Sequence, residues 1–504
     1  MKGIYTPVTK IRRQIFQEIA KLAFEGGDYS RIEDIPYKII PGEIATYRDS
    51  VFKERAIVGE RLRLACGLDV RPADKHAPIS QGIEESAIDE LVYEPPLVNV
   101  IPFACEACPP KQYYVTDNCR GCLAHPCVSV CPVKAVSLKD GKSHIDKDKC
   151  IKCGRCAESC PYNAIVKFER PCAASCGVDA IESDYLGRAK INYDKCVSCG
   201  QCLVNCPFSA IADKSQIFQL VHALKEGKEI IAEIAPSFVG QFGPLATPQR
   251  VKDALIQLGF SDVYEVAIGA DLGAIAEAEH YVHGLSEEQP FMATSCCPSW
   301  SVMAKKFFPE IAHCVSTELT PMVATARIIK KEHPNARVVF IGPCASKKLE
   351  ALRRTVRSDV DFVITYEELM GIFAAKEIDF GQIEDAPEME DATGGGRGYG
   401  VAGGVAGAIE AVIRERYPDV EVKIDRAEGL FDCRKMLTLA KAGKRKGYIL
   451  EGMACPGGCI GGAGTIEPIK KAAAAVKKFA DEAEHHVATG SDYIGELPEE
   501  HEHK

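Results

Sequence analysis

Nothing in this chain approaches the roughly 20 consecutive apolar residues that a bilayer-crossing helix needs. The N-terminal stretch MKGIYTPVTKIRRQIFQEIAKLAF also lacks the basic start, long apolar run and small-residue cleavage site of a secretion leader, and shows a charged amphipathic pattern instead. These two absences predict a cytoplasmic protein with no membrane partner. Excess positive charge is missing as well. The 61 Lys and Arg are outnumbered by 71 Asp and Glu, mixed along the chain, and the formal net charge of −10 argues against a nucleic-acid binder held through phosphate contacts. The basic run Lys444, Arg445 and Lys446 reads as a solvated loop. A phosphate loop is absent too: the glycine-rich stretch TGGGRGYGVAGGVAGAIEAVI follows no clear strand and lacks the Lys-Ser/Thr ending, so it reads as a flexible hinge followed by a closely packed helix. Nor is this the composition of a disordered chain. With 46% hydrophobic residues over 504 positions, the sequence can build two to four domains with substantial cores.

Cysteine is what the chain has in abundance, with 24 residues spaced mostly by two or three. A reducing compartment turns such spacings toward metal or iron-sulfur ligation and away from disulfides. The pattern divides the chain into three parts. Residues 1–95 are mainly helical, hold only Cys66 and carry no chemical motif. Residues 96–215 are dense in Cys, Pro and Gly, with short apolar pieces such as KAVSL and NAIVKF, which predicts a small loop-rich unit held together by its cofactors. Residues 216–504 alternate apolar strands with amphipathic helices: EIIAEIAP, a helix near Pro248 to Leu258, then DVYEVAIGADLGAIAEAEHYV. Within this α/β part, ARVVFIGPC and GYILEGMAC read as buried strands that deliver Cys344 and Cys455 into the loops that follow them.

Sixteen of the cysteines lie between Cys105 and Cys206, four for each of four 4Fe-4S clusters. Three runs are complete and end in Cys-Pro: Cys119, Cys122, Cys127, Cys131; Cys150, Cys153, Cys156, Cys160; and Cys196, Cys199, Cys202, Cys206. Because a tight loop wraps only three corners of a cube, the fourth cysteine of each run in two-cluster ferredoxins ligates the other cluster. The first two runs therefore pair as Cys119, Cys122, Cys127 with Cys160, and Cys150, Cys153, Cys156 with Cys131. If this pair is inserted into a second one, Cys105, Cys108 and Cys172 combine with Cys206, while Cys196, Cys199 and Cys202 combine with Cys176. The nesting resembles the iron-sulfur subunits of multi-cluster oxidoreductases, and departs from them where Gly177 follows Cys176 in place of proline. Zinc is the alternative occupant of paired CxxC motifs, but three cysteines within seven residues closed by Cys-Pro suit a cube better. Four clusters make a wire, which implies a redox site at one end and an electron carrier at the other.

Three further segments, TSCCPSW (Thr294 to Trp300), GPCASKKLE (Gly342 to Glu350) and EGMACPGGCIGG (Glu451 to Gly462), together resemble the signature segments of the FeFe hydrogenases. The similarity runs from Phe218 to about Ile469. It implies two α/β lobes with an active site between them, preceded by a nested ferredoxin-like α+β double-dicluster domain and a helical N-terminal segment. It also implies the reversible reaction of H2 with two protons and two electrons, exchanged with ferredoxin or a similar carrier. By the same resemblance, Cys297, Cys344, Cys455 and Cys459 hold the 4Fe-4S part of an H-cluster. Cys459 bridges to a two-iron subcluster carrying CO, cyanide and azadithiolate, which maturation proteins install. Cys296 is the thiol that exchanges protons, backed by Glu277 and Ser316. His280 stands where the family has a second Glu, with Glu279 beside it, and Gly284 stands where it has an Arg. Lys347 offers an ammonium to one cyanide and the backbone near Pro236 and Ser237 serves the other, while Pro343 and Met453 border the cofactor. Gly342 replaces the usual Met and Met322 the usual Gln, the mark of a divergent, group B-like branch. Two other readings remain: an H2 sensor with slow turnover, and an iron-sulfur scaffold relative without the two-iron unit. Cys66, Cys314 and Cys433 read as buried small hydrophobes.

Overall fold

Strands that are apolar on both faces belong inside a sheet covered on both sides, usually a parallel one. Ile230–Ile234 and Phe362–Thr365 are buried at every position, and Arg337–Gly342 and Tyr448–Met453 at all but the first. In the structure, a computed structural model that describes residues 4–496 except 73, 89–93, 385–388 and 390–391, these strands lie in two parallel sheets. The first has the order Asp262–Glu265, Ile230–Ile234, Arg337–Gly342, Phe362–Thr365. The second has the order Met292–Ala293, Tyr448–Met453, Lys423–Glu428, with the last strand partly exposed at the edge. The helix expected near Pro248 spans Pro248–Leu258: Thr247 caps it by accepting from the Arg250 N–H at 3.2 Å, Pro248 opens it, and Gly259 closes it at φ 106°. Open parallel sheets bind ligands outside the carboxyl ends of their strands, and the cysteine segments lie at those ends.

Upstream, four small antiparallel ribbons nest one pair inside another. Val98–Val100 pairs with Ile211–Asp213, and Ile181–Ser183 with Ala189–Ile191. Enclosed between them, Gln112–Val115 pairs with Ile165–Phe168, and Val136–Lys139 with Lys142–Ile145. The chain thus leaves one ferredoxin-like unit, builds a second, and returns. Local geometry repeats four times. Each CxxC loop places the residue before its second cysteine at positive φ: Ala107, Gly121, Lys152 and Ser198. Each fourth cysteine is followed three residues later by another, at Lys134, Asn163, Asp179 and Ser209.

The first 95 residues are not a loose appendage. Helix Pro7–Glu25, capped by Thr6, buries Ile15, Ile19, Ala20, Leu22 and Ala23 in the same core as Phe218, Ile234 and Ile364. It packs so closely on helix Tyr366–Ala375 that a Cβ on Gly371 would stand 2.5 Å from the Phe16 Cβ. From helix Val51–Ala65, the buried Arg61 guanidinium donates to Ser209 O and Ile211 O at 2.7 and 2.9 Å, which ties this segment to the iron-sulfur unit. Cys66, Cys314 and Cys433 are all buried.

Candidate functional site

Each cysteine segment leaves the end of a parallel strand, and neighbouring groups fix its direction. After Met292–Ala293, the Thr294 N–H donates to Leu450 O at 3.0 Å, and Cys297 caps helix Pro298–Phe307. Trp300 is fully buried; its Nε1–H donates to Thr294 O at 2.9 Å, and its ring lies where a Cβ on Gly452 would stand. Cys344 caps helix Ala345–Ala351 in the same way. Two of the four presumed ligands therefore sit at helix N-termini, where backbone N–H groups favour thiolate charge. Between the other two, Gly457 and Gly458 turn the chain at φ 78° and 89°. A Cβ on Gly458 would stand 2.5 Å from the Ala402 N, so no side chain fits.

These loops bring Cys296, Cys297, Cys344, Cys455 and Cys459 onto one cavity, whose walls also include Pro236, Ser237, Pro343, Lys347, Met453 and Met322. Among the described residues no group of three or more His, Cys, Asp or Glu could hold a metal ion. The thiols surround a space without closing on a point, which suits the corners of a cluster. Soft thiolates are the donors that iron-sulfur clusters require, so the residues present fit such a group. Lys347 is buried beside it, with Nζ 2.6 Å from Glu350 Oε2 and donating to Thr320 Oγ1 at 3.1 Å. Burial opposes its charge, but Glu350 outweighs burial and the Lys347 pKa ends above its ordinary value. Ser237 Oγ stands 2.7 Å from the Tyr366 hydroxyl, which donates to Ala235 O at 2.9 Å.

Behind Cys296, the buried Glu277 carboxylate accepts from Ser316 and from the Ser295 N–H, the latter at 3.4 Å. Burial pushes Glu277 up to about 7 despite these bonds. Burial, reinforced by Cys297, likewise holds the Cys296 thiol well above its ordinary pKa. His280 is not brought into this group. Its Nε2 lies 2.6 Å from Gln289 Nε2, and Glu279 is engaged by Arg416 at 3.0 Å and Tyr417 at 2.6 Å. Both are on the turn of helix Ala267–Gly284 that faces other partners. Beyond Ser295 and Ser316 lies Glu318, whose backbone is tied to both serines: Ser295 Oγ donates to its carbonyl at 3.1 Å, and its N–H donates to Ser316 Oγ at 3.3 Å. The sequence pattern offered no sign of it, because it lies two residues past Ser316 in an irregular loop.

On the electron side, Cys105, Cys108, Cys172 and Cys206 line one small cavity. Cys176, Cys196 and Cys199 meet in one apolar cluster, and Cys202 lies within electrostatic reach of all three. Cys199 also opens onto the large cavity, so this set stands next to it. Cys127, Cys131, Cys150 and Cys156 share the small core of the inner unit; Cys119, Cys122 and Cys160 are half-buried there and Cys153 is exposed. The backbone N–H groups of Ala135, Ala164, Ala180 and Ala210 donate to the thiols four residues earlier, Cys131, Cys160, Cys176 and Cys206, at 3.2, 3.4, 3.2 and 3.4 Å. Cys176 thus keeps the geometry of a fourth cysteine without its proline. The reason for Gly177 is contact: a Cβ there would stand 2.5 Å from the Leu430 Cβ and 2.7 Å from the Phe431 N.

Among the wall residues not foreseen are Phe340, Tyr399 and Gly400. Phe340 accounts for one departure, because its ring fills the space that a side chain at Gly342 would need. Tyr399 and Gly400 come from the glycine-rich stretch read as a hinge. That stretch is firmly held, since Thr393 donates twice to Asp271, at 2.9 and 2.6 Å, and Arg397 pairs with Glu265 at 2.6 Å.

Residues 228–463 match the family described as iron only hydrogenase large subunit, C-terminal domain. Residues 143–166 match a 4Fe-4S binding domain and residues 167–217 the LdpA Fe-S cluster-binding domain. Iron hydrogenase 1 of Clostridium pasteurianum is 30% identical over 379 residues, which cover 64% of either chain. The periplasmic [Fe] hydrogenase large subunit of Nitratidesulfovibrio vulgaris is 29% identical, over 64% of this chain and 85% of that one. Protein NAR1 of Arabidopsis thaliana is 24% identical, over 51% of this chain and 69% of that one. This chain thus spans less than two thirds, 64%, of the Clostridium protein's length, and no helix among its described residues is long and apolar enough to cross a membrane. By the match at 228–463 and the iron-sulfur matches before it, the chain carries an iron-only hydrogenase C-terminal domain behind an iron-sulfur region.

Proposed function

We propose that this protein is a hydrogenase that interconverts H2 with two protons and two electrons. The observation that carries this reading is the convergence of Cys296, Lys347 and Met453 with four presumed ligand cysteines on one buried cavity. Cys297, Cys344, Cys455 and Cys459 would hold an H-cluster, which supplies the redox iron and the site where H2 is made or split. Cys296 carries the proton. Its pKa, held high by burial, keeps the thiol loaded until a base is presented. Glu277, poised near neutral pH, is matched to receive and return that proton. Ser316 and the Ser295 N–H orient the carboxylate, and Glu318, half-buried beyond them, leads outward. Lys347, anchored by Glu350 and Thr320, presents a fixed positive charge to anionic ligands of the cofactor.

Electrons leave through the set of Cys176, Cys196, Cys199 and Cys202, then the set of Cys105, Cys108, Cys172 and Cys206, and then the two inner sets. Residues 112–168 hold nine Lys and Arg against five Asp and Glu, and Leu123, Ile151 and Tyr162 are exposed there beside the cysteines. That surface favours an acidic carrier of the ferredoxin kind.

Anaerobically matured protein is expected to show CO and cyanide stretching bands in the infrared and to evolve H2 with reduced methyl viologen. Absence of the bands after full maturation would overturn the proposal. It would favour an iron-sulfur assembly role instead, the reading to which the similarity with NAR1 lends support.

A further inference from the structure

Tyr399 is a polar wall residue for which the proposed function has no use. It is only 7% exposed, it lines the cavity together with Cys296, Met453 and Cys459, and it packs in an apolar cluster with Ala270 and Val405. Its hydroxyl is buried and has no hydrogen-bond partner. An orphaned buried hydroxyl keeps its full desolvation penalty, whereas phenylalanine would fill the same space with no such loss. Rearrangement does not offer an easy escape, because the backbone around the ring is clamped. A Cβ on Gly400 would sit 3.3 Å from the Ser237 N, one on Gly396 would overlap Ala267 O, and one on Gly404 would overlap Gly398 O. The polar groups within electrostatic reach, Glu277, Cys296, Asp271 and Glu451, have partners or roles of their own. Lys347, the donor expected from sequence, is already engaged by Glu350 and Thr320.

We infer that Tyr399 is a hydrogen-bond donor to the occupant of this cavity, its phenol pointing at an acceptor atom among the cofactor's non-protein ligands. The partner that the protein withholds is supplied by the group it holds. Tyr399 therefore reads the electron density on that ligand, and it does so independently of the lysine. This inference rests on the proposed function, and its test separates the two.

The substitution is Tyr399→Phe, followed in two ways. In matured protein, the CO and cyanide bands are expected to move relative to wild type, and methyl viologen-linked H2 evolution is expected to fall by about tenfold, the size of one hydrogen bond to a charged acceptor. Bands that superimpose on those of wild type would overturn the inference while leaving the hydrogenase reading intact. In cofactor-free protein, Tyr399→Phe is expected to raise the unfolding midpoint, since it removes an orphaned group. A lowered midpoint would show that the hydroxyl has a protein partner and would overturn the inference even where wild type shows no CO or cyanide bands.

Discussion

The iron-sulfur region and the domain at 228–463 both bring cysteine thiols together, but they do so by opposite means. In the region of residues 98–213 each site is assembled from short loops, and the same two backbone devices recur four times: a positive φ before the second cysteine and an N–H bond to the fourth. In the domain at 228–463 no local device repeats. Its four presumed ligands follow three strands that end at Ala293, Gly342 and Met453, and their meeting depends on the registers of two parallel sheets. A locally written site tolerates being copied and nested. A site written by topology is made once, and each part of it is clamped by contacts such as Trp300 on Gly452.

This contrast can be broken by substitution, beginning with the largest effect. Cys344→Ala or Cys459→Ala should lower methyl viologen-linked H2 evolution by at least about 1,000-fold, because groups that act as a unit fail together. Cys153→Ala, at the exposed inner unit, should leave that dye-linked rate standing and depress only the rate with a protein carrier. Equal losses in the two assays would contradict the separation of wire and catalytic site. Glu277→Gln should cost about 100-fold in turnover, measured as H2 evolution across pH 5 to 8, whereas His280→Gln should change it by less than about threefold, since no contact joins His280 to the path.

Restoring the repeat should do harm. Gly177→Pro supplies the residue that the other three fourth cysteines have after them, yet it collides with Leu430 and should destabilise the protein by about 2 kcal/mol in urea titration. A stabilised variant would mean that the local rule outweighs the contact. A smaller effect concerns stability and pH in the cofactor-free chain. Burial raises Glu277 from the ordinary 4.5 to about 7, so the folded form holds its proton more tightly than the unfolded one. The stability this gives is fully present below about pH 4.5 and is lost as pH rises through 7, an effect on the order of 1–3 kcal/mol. Glu277→Gln should flatten that part of the profile. Smallest of all, exchanging Lys147, Lys149 and Lys152 for Glu should raise the apparent KM for an acidic carrier a few-fold at low salt and hardly at all at high salt, with the dye-linked rate unmoved.

The same contrast explains what could be read from sequence. Spacing alone grouped Cys105, Cys108 and Cys172 with Cys206, because CxxC loops and Cys-Pro turns are local, and the structure brings those four to one cavity. Strands such as ARVVFIG and YILEGM were visible as apolar runs for the same reason. The four presumed ligands around the large cavity could be assigned only through resemblance to a family, since no spacing rule connects Cys297 with Cys344. What escaped was whatever depends on packing between distant segments. Phe340 looked like one more core residue of a strand, Tyr399 like part of a hinge, and Glu318 like a loop carboxylate. His280 shows the reverse: it stands where the resembled family has a second Glu, which suggested a relay, whereas in the structure its ring stands against Gln289.

The chain has a single tryptophan, and it is the fully buried Trp300, three residues from Cys297 and against the strand that leads to Cys455. Its emission therefore comes from one known place. A coloured iron-sulfur group filling the adjacent cavity would absorb that light, so the ultraviolet fluorescence of the unlabelled protein should be bright when the catalytic compartment is empty and dim when it is filled. Because Trp300 shares an apolar cluster with Cys176, Cys196 and Cys199, the upstream cluster beside it also dims this emission, and filling of the cavity is read as the further loss once the upstream clusters are in place.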